Sequence, residues 1–239
     1  MKLSLAAVLA ASIFSTVAPE ARGQAPVAPA PAKPASAMPD LAAIHKLREK
    51  MIGKWINIAG ESLTLADSGT FTLSSPRFQE NPNLPKEITG TFVVTEDLQL
   101  KVVPSAANAK PIISEFTVDS TQLRIKNKNG TFSVYQRYSN QAVADLTLRE
   151  LEMLDAAIDQ FAIEKNKPAG ATATPDDLRK YLRKDTRIYF SLGEPGGPKD
   201  FLGNSYGDLI VDKFPHVHPA TAKALSDVAP RTFWKRFAE

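Results

Sequence analysis

No cysteine occurs in the chain, which excludes a disulfide framework, a thiolate nucleophile and any cysteine-ligated zinc or iron–sulfur centre. Histidine is scarce, at three residues, and no His-Glu-x-x-His pair, Walker loop or dinucleotide fingerprint is present. Net charge is small as well: 29 basic and 26 acidic residues leave +3, too close to zero to mark a nucleic-acid partner. What the 239 residues do contain is 43% hydrophobic side chains, enough for one or two globular domains, and 18 unevenly distributed prolines.

The N-terminus carries an address. Lys2 precedes an apolar run from Leu3 to Val17, and small residues follow at Ala18, Ala21 and Gly23. A basic start, a short apolar stretch and small residues where a signal peptidase reads define a secretory signal peptide over residues 1–23, with cleavage after Gly23 or, alternatively, Ala25. The run is about 15 residues, short of the roughly 20 that a spanning helix needs, so no transmembrane segment is expected in the mature chain. Without a cysteine after the run, a lipid anchor is excluded. The mature protein is expected in a periplasm or outside the cell. Residues 24–39 hold Pro26, Pro29, Pro31, Pro34 and Pro39 among alanines, an extended polyproline-like linker or, alternatively, a docking motif for a proline-reading domain.

Residues 40–140 read as a β domain behind one short helix. Asp40 caps the helix, Leu41, Ile44, Leu47, Met51 and Ile52 recur at helical spacing, and Gly53 closes it. The period then changes to two, predicting eight strands: Trp55–Ala59, Ser62–Ala66, Thr70–Ser74, Ile88–Thr95, Leu98–Val103, Ile112–Val118, Gln122–Lys126 and Thr131–Tyr138. Short turns at Asp67-Ser68-Gly69, Glu96-Asp97 and Asn127-Lys128-Asn129-Gly130 make consecutive antiparallel hairpins, most simply closed as a small barrel. The short helix, Gly53-Lys54-Trp55, Leu63-Thr64-Leu65 and Asp67-Ser68-Gly69-Thr70-Phe71 resemble the opening of lipocalin-like domains of bacterial exported proteins. That resemblance implies that Trp55 plugs the barrel base and that the mouth can hold a small apolar ligand; the alternative is an interior filled by its own side chains.

Residues 145–239 read as an α+β module, with Ser139 to Ala144 as the joint, so that the fold class of the whole chain is α+β. Thr147 and Glu150 suggest a capping box ahead of an apolar stripe of Leu151, Leu154, Ile158, Phe161 and Ala162. Thr174-Pro175-Asp176-Asp177 starts a second helix running to about Arg183. Strands are expected at Arg187 to Ser191 and Leu209 to Asp212, and short helices from Pro219 and Pro230. Leu151-x-x-Leu154-Asp155-Ala156-Ala157, Asp177-Leu178-x-x-Tyr181-Leu182 and Asp200-x-Leu202-Gly203-Asn204-x-Tyr206 resemble the periplasmic head of major, G-like type II secretion pseudopilins over residues 148–212. The family's apolar N-terminal helix is replaced here by a β domain, and its acidic calcium loop has no counterpart in residues 211–219. The resemblance therefore implies the head fold without pseudopilus assembly or calcium.

Three patterns bear on chemistry. Gly203-Asn204-Ser205-Tyr206-Gly207 fits Gly-x-Ser-x-Gly, with Asp212 and His216 in hydrolase order, but Ser205 follows a proline-rich loop where a nucleophile elbow needs a strand before and a helix after. His216 and His218 share a face of an extended segment and, with Asp212, form a weak metal candidate. Arg179, Lys180, Arg183, Lys184 and Arg187 form a basic run, read as a solvated helix face or, less simply, a surface for an acidic partner. No catalytic, metal or cofactor-binding residue is assigned on these grounds. The expectation is an exported non-enzymatic binding or scaffolding protein of the cell envelope with a protein partner, possible association with type II secretion-like machinery, no cofactor and no nucleic acid. The alternatives are a carrier of a small apolar ligand in the barrel and, remotely, a serine hydrolase.

Overall fold

The structure, a computed structural model, describes residues 40–79, 85–106 and 108–238; the expected signal peptide and proline-rich linker lie outside the described residues. Helix α1 spans Leu41–Met51, and Asp40 caps it by accepting a bond from the Ala43 amide at 3.0 Å. The helix ends at Ile52, whose N–H reaches the Arg48 carbonyl, and Gly53 already belongs to the first strand.

Nine strands follow: β1 Gly53–Ile56, β2 Ser62–Leu65, β3 Thr70–Ser74, β4 Glu87–Val94, β5 Leu100–Pro104, β6 Ile112–Ser114, β7 Phe116–Val118, β8 Gln122–Lys126 and β9 Phe132–Arg137. They form one antiparallel sheet in the order β6-β5-β4-β3-β2-β1-β9-β8-β7, a nearly closed barrel. The eight-strand expectation is corrected at one place. The segment Ile112–Val118 is two strands, because it pairs with β5 up to Ser114 and with β8 from Phe116 onward. Glu115 is the corner: its carbonyl accepts the Lys126 amide at 2.9 Å, and its carboxylate takes the Lys126 ammonium at 2.8 and 2.9 Å. Both edges of the sheet thus come from one continuous stretch of chain, which is how the barrel nearly closes.

Period-two patterning does its work in the strands. Along β4 exposure and burial alternate without a break, and Ile88, Phe92 and Val94 face the interior. Leu63, Leu65, Phe71, Leu73, Leu100, Leu123, Ile125 and Tyr135 are buried likewise. Trp55 has no exposed surface, and the Arg137 guanidinium, opposite it in the β1–β9 register, lies 4.2 Å from its ring centroid. Gly90 occupies an inward position where a Cβ would meet the Val103 carbonyl oxygen at 2.2 Å and the Phe71 ring at 2.5 Å. A short helix α2, Pro76–Gln79, was not expected from the sequence.

Helix α3 runs Asn140–Lys165, starting earlier than the sequence suggests. Ser139 is its cap, accepting from the Ala142 amide, so Thr147 and Glu150 are not a capping box but fully buried residues in the helix interior. Asn166, left-handed at φ 47, closes it, with its N–H on the Ala162 and Ile163 carbonyls. Helix α4, Pro175–Arg179, has the expected start: Thr174 and Asp177 cap each other reciprocally. It ends sooner than expected. Residues Arg187–Ser191, expected as a strand, are helix α5; Ile188, Ser191 and Leu192 are buried at helical spacing, so tertiary burial overrides the β-branched and aromatic composition. The strand expected at Leu209 to Asp212 is reduced to a bridge between Thr172 and Ile210. Helix α6, Pro219–Ala224, and a 3-10 helix, Arg231–Phe237, complete the chain, each preceded or opened by the proline that marks it in the sequence.

The chain divides into two compact units that alternate along the sequence. The first contains α1, residues 64–72 and residues 88–134; the second contains residues 53–63, 73–87 and 135–239. Gly90→Ala tests the packing of the first unit. The added methyl has no room against backbone, so equilibrium urea denaturation should show a loss of about 1–3 kcal/mol.

Candidate functional site

The second unit holds every site candidate and is organised around buried polar groups. In the bend after β1, Asn57 and Glu61 tie the turn: the Asn57 amide group donates to Glu61 Oε2 at 2.8 Å, and the Glu61 N–H donates to Asn57 Oδ1 at 3.0 Å. The Tyr135 hydroxyl donates to the same carboxylate at 2.7 Å. Burial pushes the Glu61 carboxyl above its ordinary 4.5 despite these bonds and the Arg77 charge, and burial with Glu61 beside it drives Tyr135 well up.

A second network fixes the loops that carry the candidate chemistry. Glu150, in the apolar stripe of α3, accepts from Arg187 Nε at 2.9 Å and from the Tyr206 hydroxyl at 2.7 Å, and it also pairs with the Arg187 terminal nitrogen. Arg187 donates onward to the Lys199 carbonyl, stacks 4.3 Å from the Phe201 ring centroid, and gives its backbone N–H to the Ile58 carbonyl at 2.9 Å. Burial raises Glu150, opposed by Arg187 and Tyr206; burial also works against the Arg187 charge, but Glu150 more than offsets it and the guanidinium stays ionised. Gly60, at φ +76, is required here, since a Cβ would lie 2.4 Å from Arg187 Cγ.

Asp200 anchors the turn in front of Ser205. It accepts the Leu202 and Asn204 amides at 2.8 and 2.9 Å and the Thr221 hydroxyl, while the Asn204 side chain donates to Thr221 at 2.8 Å. The Asp200, Asn204 and Tyr206 pattern singled out in the sequence is therefore a staple between this turn, α6 and α3. Ser205, His216 and His218 do line one cleft of about 300 Å³, together with Asp208, Lys213 and Phe214. Ser205 Oγ accepts from the Gly207 amide at 3.1 Å and sits at a bridge with Lys199, His218 Nδ1 caps α6 by accepting from the Ala220 amide at 3.2 Å, and Asp212 is not part of the cleft lining. Among the described residues no three His, Asp or Glu side chains gather as metal ligands, so His216, His218 and Asp212 do not make a site together.

The basic run is largely committed to intramolecular partners. Lys180 pairs with Glu164 at 3.0 Å, Arg183 with Asp185 at 2.7 Å, and Arg187 with Glu150. The Glu164 carboxyl, bonded by Lys180 and Tyr181, is held down to about 2. Arg179 lies over the Tyr189 ring at 5.4 Å. Lys180, Arg183 and Lys184 make a solvated, locally neutralised face, whereas Arg187, expected on that face, is turned inward to Glu150.

The sequence reading missed a second recess. Between α6 and the C-terminal 3-10 helix lies an apolar recess of about 330 Å³ walled by Val217, Ala222, Ala229, Pro230 and Trp234. Ser226 and Arg231 are its polar members. Trp234 is 1% exposed, and its indole N–H has no acceptor among the described residues. Two ion pairs hold this segment on α3: Arg236 with Asp155 and Lys235 with Glu152 at 3.2 Å.

Two outcomes follow from the buried networks. Because folded Glu61 binds its proton more tightly than the unfolded chain, its contribution to stability is greatest below pH 4.5 and is lost as pH rises through the raised folded value. Glu61→Gln should flatten this decline in urea midpoints measured from pH 4.5 to 7. Glu150→Ala, which strands a buried guanidinium, should cost about 3–5 kcal/mol or prevent folding. Ser205→Ala should change stability by less than about 0.5 kcal/mol in the same assay. No protein family and no curated protein sequence matches this chain.

Proposed function

We propose that the protein is an exported, non-enzymatic binding and scaffolding protein of the cell envelope whose C-terminal region holds a protein partner. The observation that carries this reading is the open apolar recess at Trp234, since exposed apolar concavities on a water-facing surface mark contact sites. The barrel is a lipocalin-like scaffold in this reading. Its inward positions carry Phe71, Phe92, Leu65 and Leu123, each buried to within 4% exposure, which argues for a filled interior over a ligand container. Ser205 Oγ accepts from the Gly207 amide and His218 Nδ1 from the Ala220 amide, which argues against hydrolysis in the Ser205 cleft.

The apolar N-terminal run and the resemblance of residues 148–212 to pseudopilin heads support an envelope address and a partner from type II secretion-like machinery. Among the described residues no helix is long and apolar enough to cross a membrane. Native mass spectrometry of the protein, isolated gently from its envelope fraction, tests the proposal. The expected spectrum shows the chain with a second polypeptide. An added small mass lost on denaturation would establish the carrier reading instead, and a bare chain would contradict partner binding.

A further inference from the structure

Resting on the partner reading above, we infer that the Trp234 recess takes an apolar side chain accompanied by a carboxylate, the combination presented by the last residue of a partner polypeptide. The walls set the first requirement. At about 330 Å³, and lined by Val217, Ala222, Ala229 and Pro230, the recess fits at the small end of ligand-binding cavities and accepts one large apolar group.

The polar members set the second requirement, and they are donors. Trp234 lines the recess with an indole N–H that is shielded from water and lacks an acceptor among the described residues. Arg231 is exposed at the same recess and has no carboxylate partner among the described residues. The Ser226 hydroxyl is already committed, donating to the Lys223 carbonyl at 2.9 Å. Among the described residues no acidic side chain belongs to the lining; Asp227, next in sequence to Ser226, instead accepts from Asn140 at 3.4 Å. An occupant that brings an anionic acceptor completes the exposed Arg231 guanidinium, whereas a neutral or cationic group leaves that donor unmatched. The neighbouring Ser205 cleft has no such bias, since Asp208 offsets Lys213 there.

The test uses three probes on the intact protein: the acetylated tripeptide Ala-Ala-Phe with a free C-terminal carboxylate, the same peptide as its C-terminal amide, and acetylated Ala-Ala-Ala with a free carboxylate. Binding is read from the two indole N–H resonances in proton–nitrogen spectra, with buried Trp55 as the internal reference. The Phe acid should shift the Trp234 resonance saturably and bind about tenfold more tightly than the Phe amide or the Ala acid, and Arg231→Gln should erase the preference for acid over amide. Arg231 is exposed, so this variant keeps the fold. Equal binding of acid and amide would overturn the carboxylate inference and leave the partner reading standing. Absence of saturable binding by every probe up to about 10 mM would overturn the inference and also remove the recess from the partner reading.

Discussion

The Glu150–Arg187 ion pair is the interaction on which the second unit depends. A guanidinium only 13% exposed faces a carboxylate with no exposed surface, and each arm of the pair is also bonded elsewhere: Arg187 to the Lys199 and Ile58 carbonyls, Glu150 to Tyr206. Taking two such charges out of water is costly, and the attraction between them compensates only when the geometry and the additional bonds are complete. The pair thus specifies one arrangement of α3, α5, the bend at residues 57–60 and the loop at residues 199–206. Asp200, Asn204 and Thr221 extend the same framework to α6. The Ser205 cleft and the Trp234 recess both lie at elements that this framework holds in place.

Rigidity of this kind preorganises the surface that the framework carries. Glu61, Glu150 and Asp200, drawn into the interior, spend their hydrogen-bonding capacity on other protein groups, and Ser205 and His218 are engaged in a turn and a helix cap. The barrel is likewise self-satisfied, with Trp55 covered by Arg137 and the inward rows filled by aliphatic and aromatic side chains. Among the described residues the buried side-chain groups without a partner are Ser75, Thr147, Arg179 and Trp234, and of these Trp234 lines the apolar recess.

Much of the architecture was legible in residue order because local rules governed it. Asp40, Thr174 with Asp177, and the prolines at 219 and 230 marked helix starts through capping geometry, which short-range sequence encodes. Strand positions followed from period-two burial, as in β4. The misreadings arose where distant residues decide. Glu150 looked like a cap residue because its partner Arg187 is 37 positions away, and Arg187–Ser191 looked like a strand because its helical burial is imposed by that anchor. The division of Ile112–Val118 at Glu115 depends on pairing with both β5 and β8, which no window of sequence contains. The recess was illegible for the same reason: it is a shape formed between α6 and the chain end, with no motif of its own.

The central claim is that the C-terminal recess, and not the barrel, is where the protein meets its partner. Hydroxyl-radical footprinting compares the protein in an intact envelope fraction with the purified chain, residue by residue. Protection confined to Pro219, Ala222, Pro230 and Arg231 around the recess is the predicted result. Equal labelling of these positions in both samples, or protection limited to outward barrel residues such as Val93 and Ile113, would contradict it.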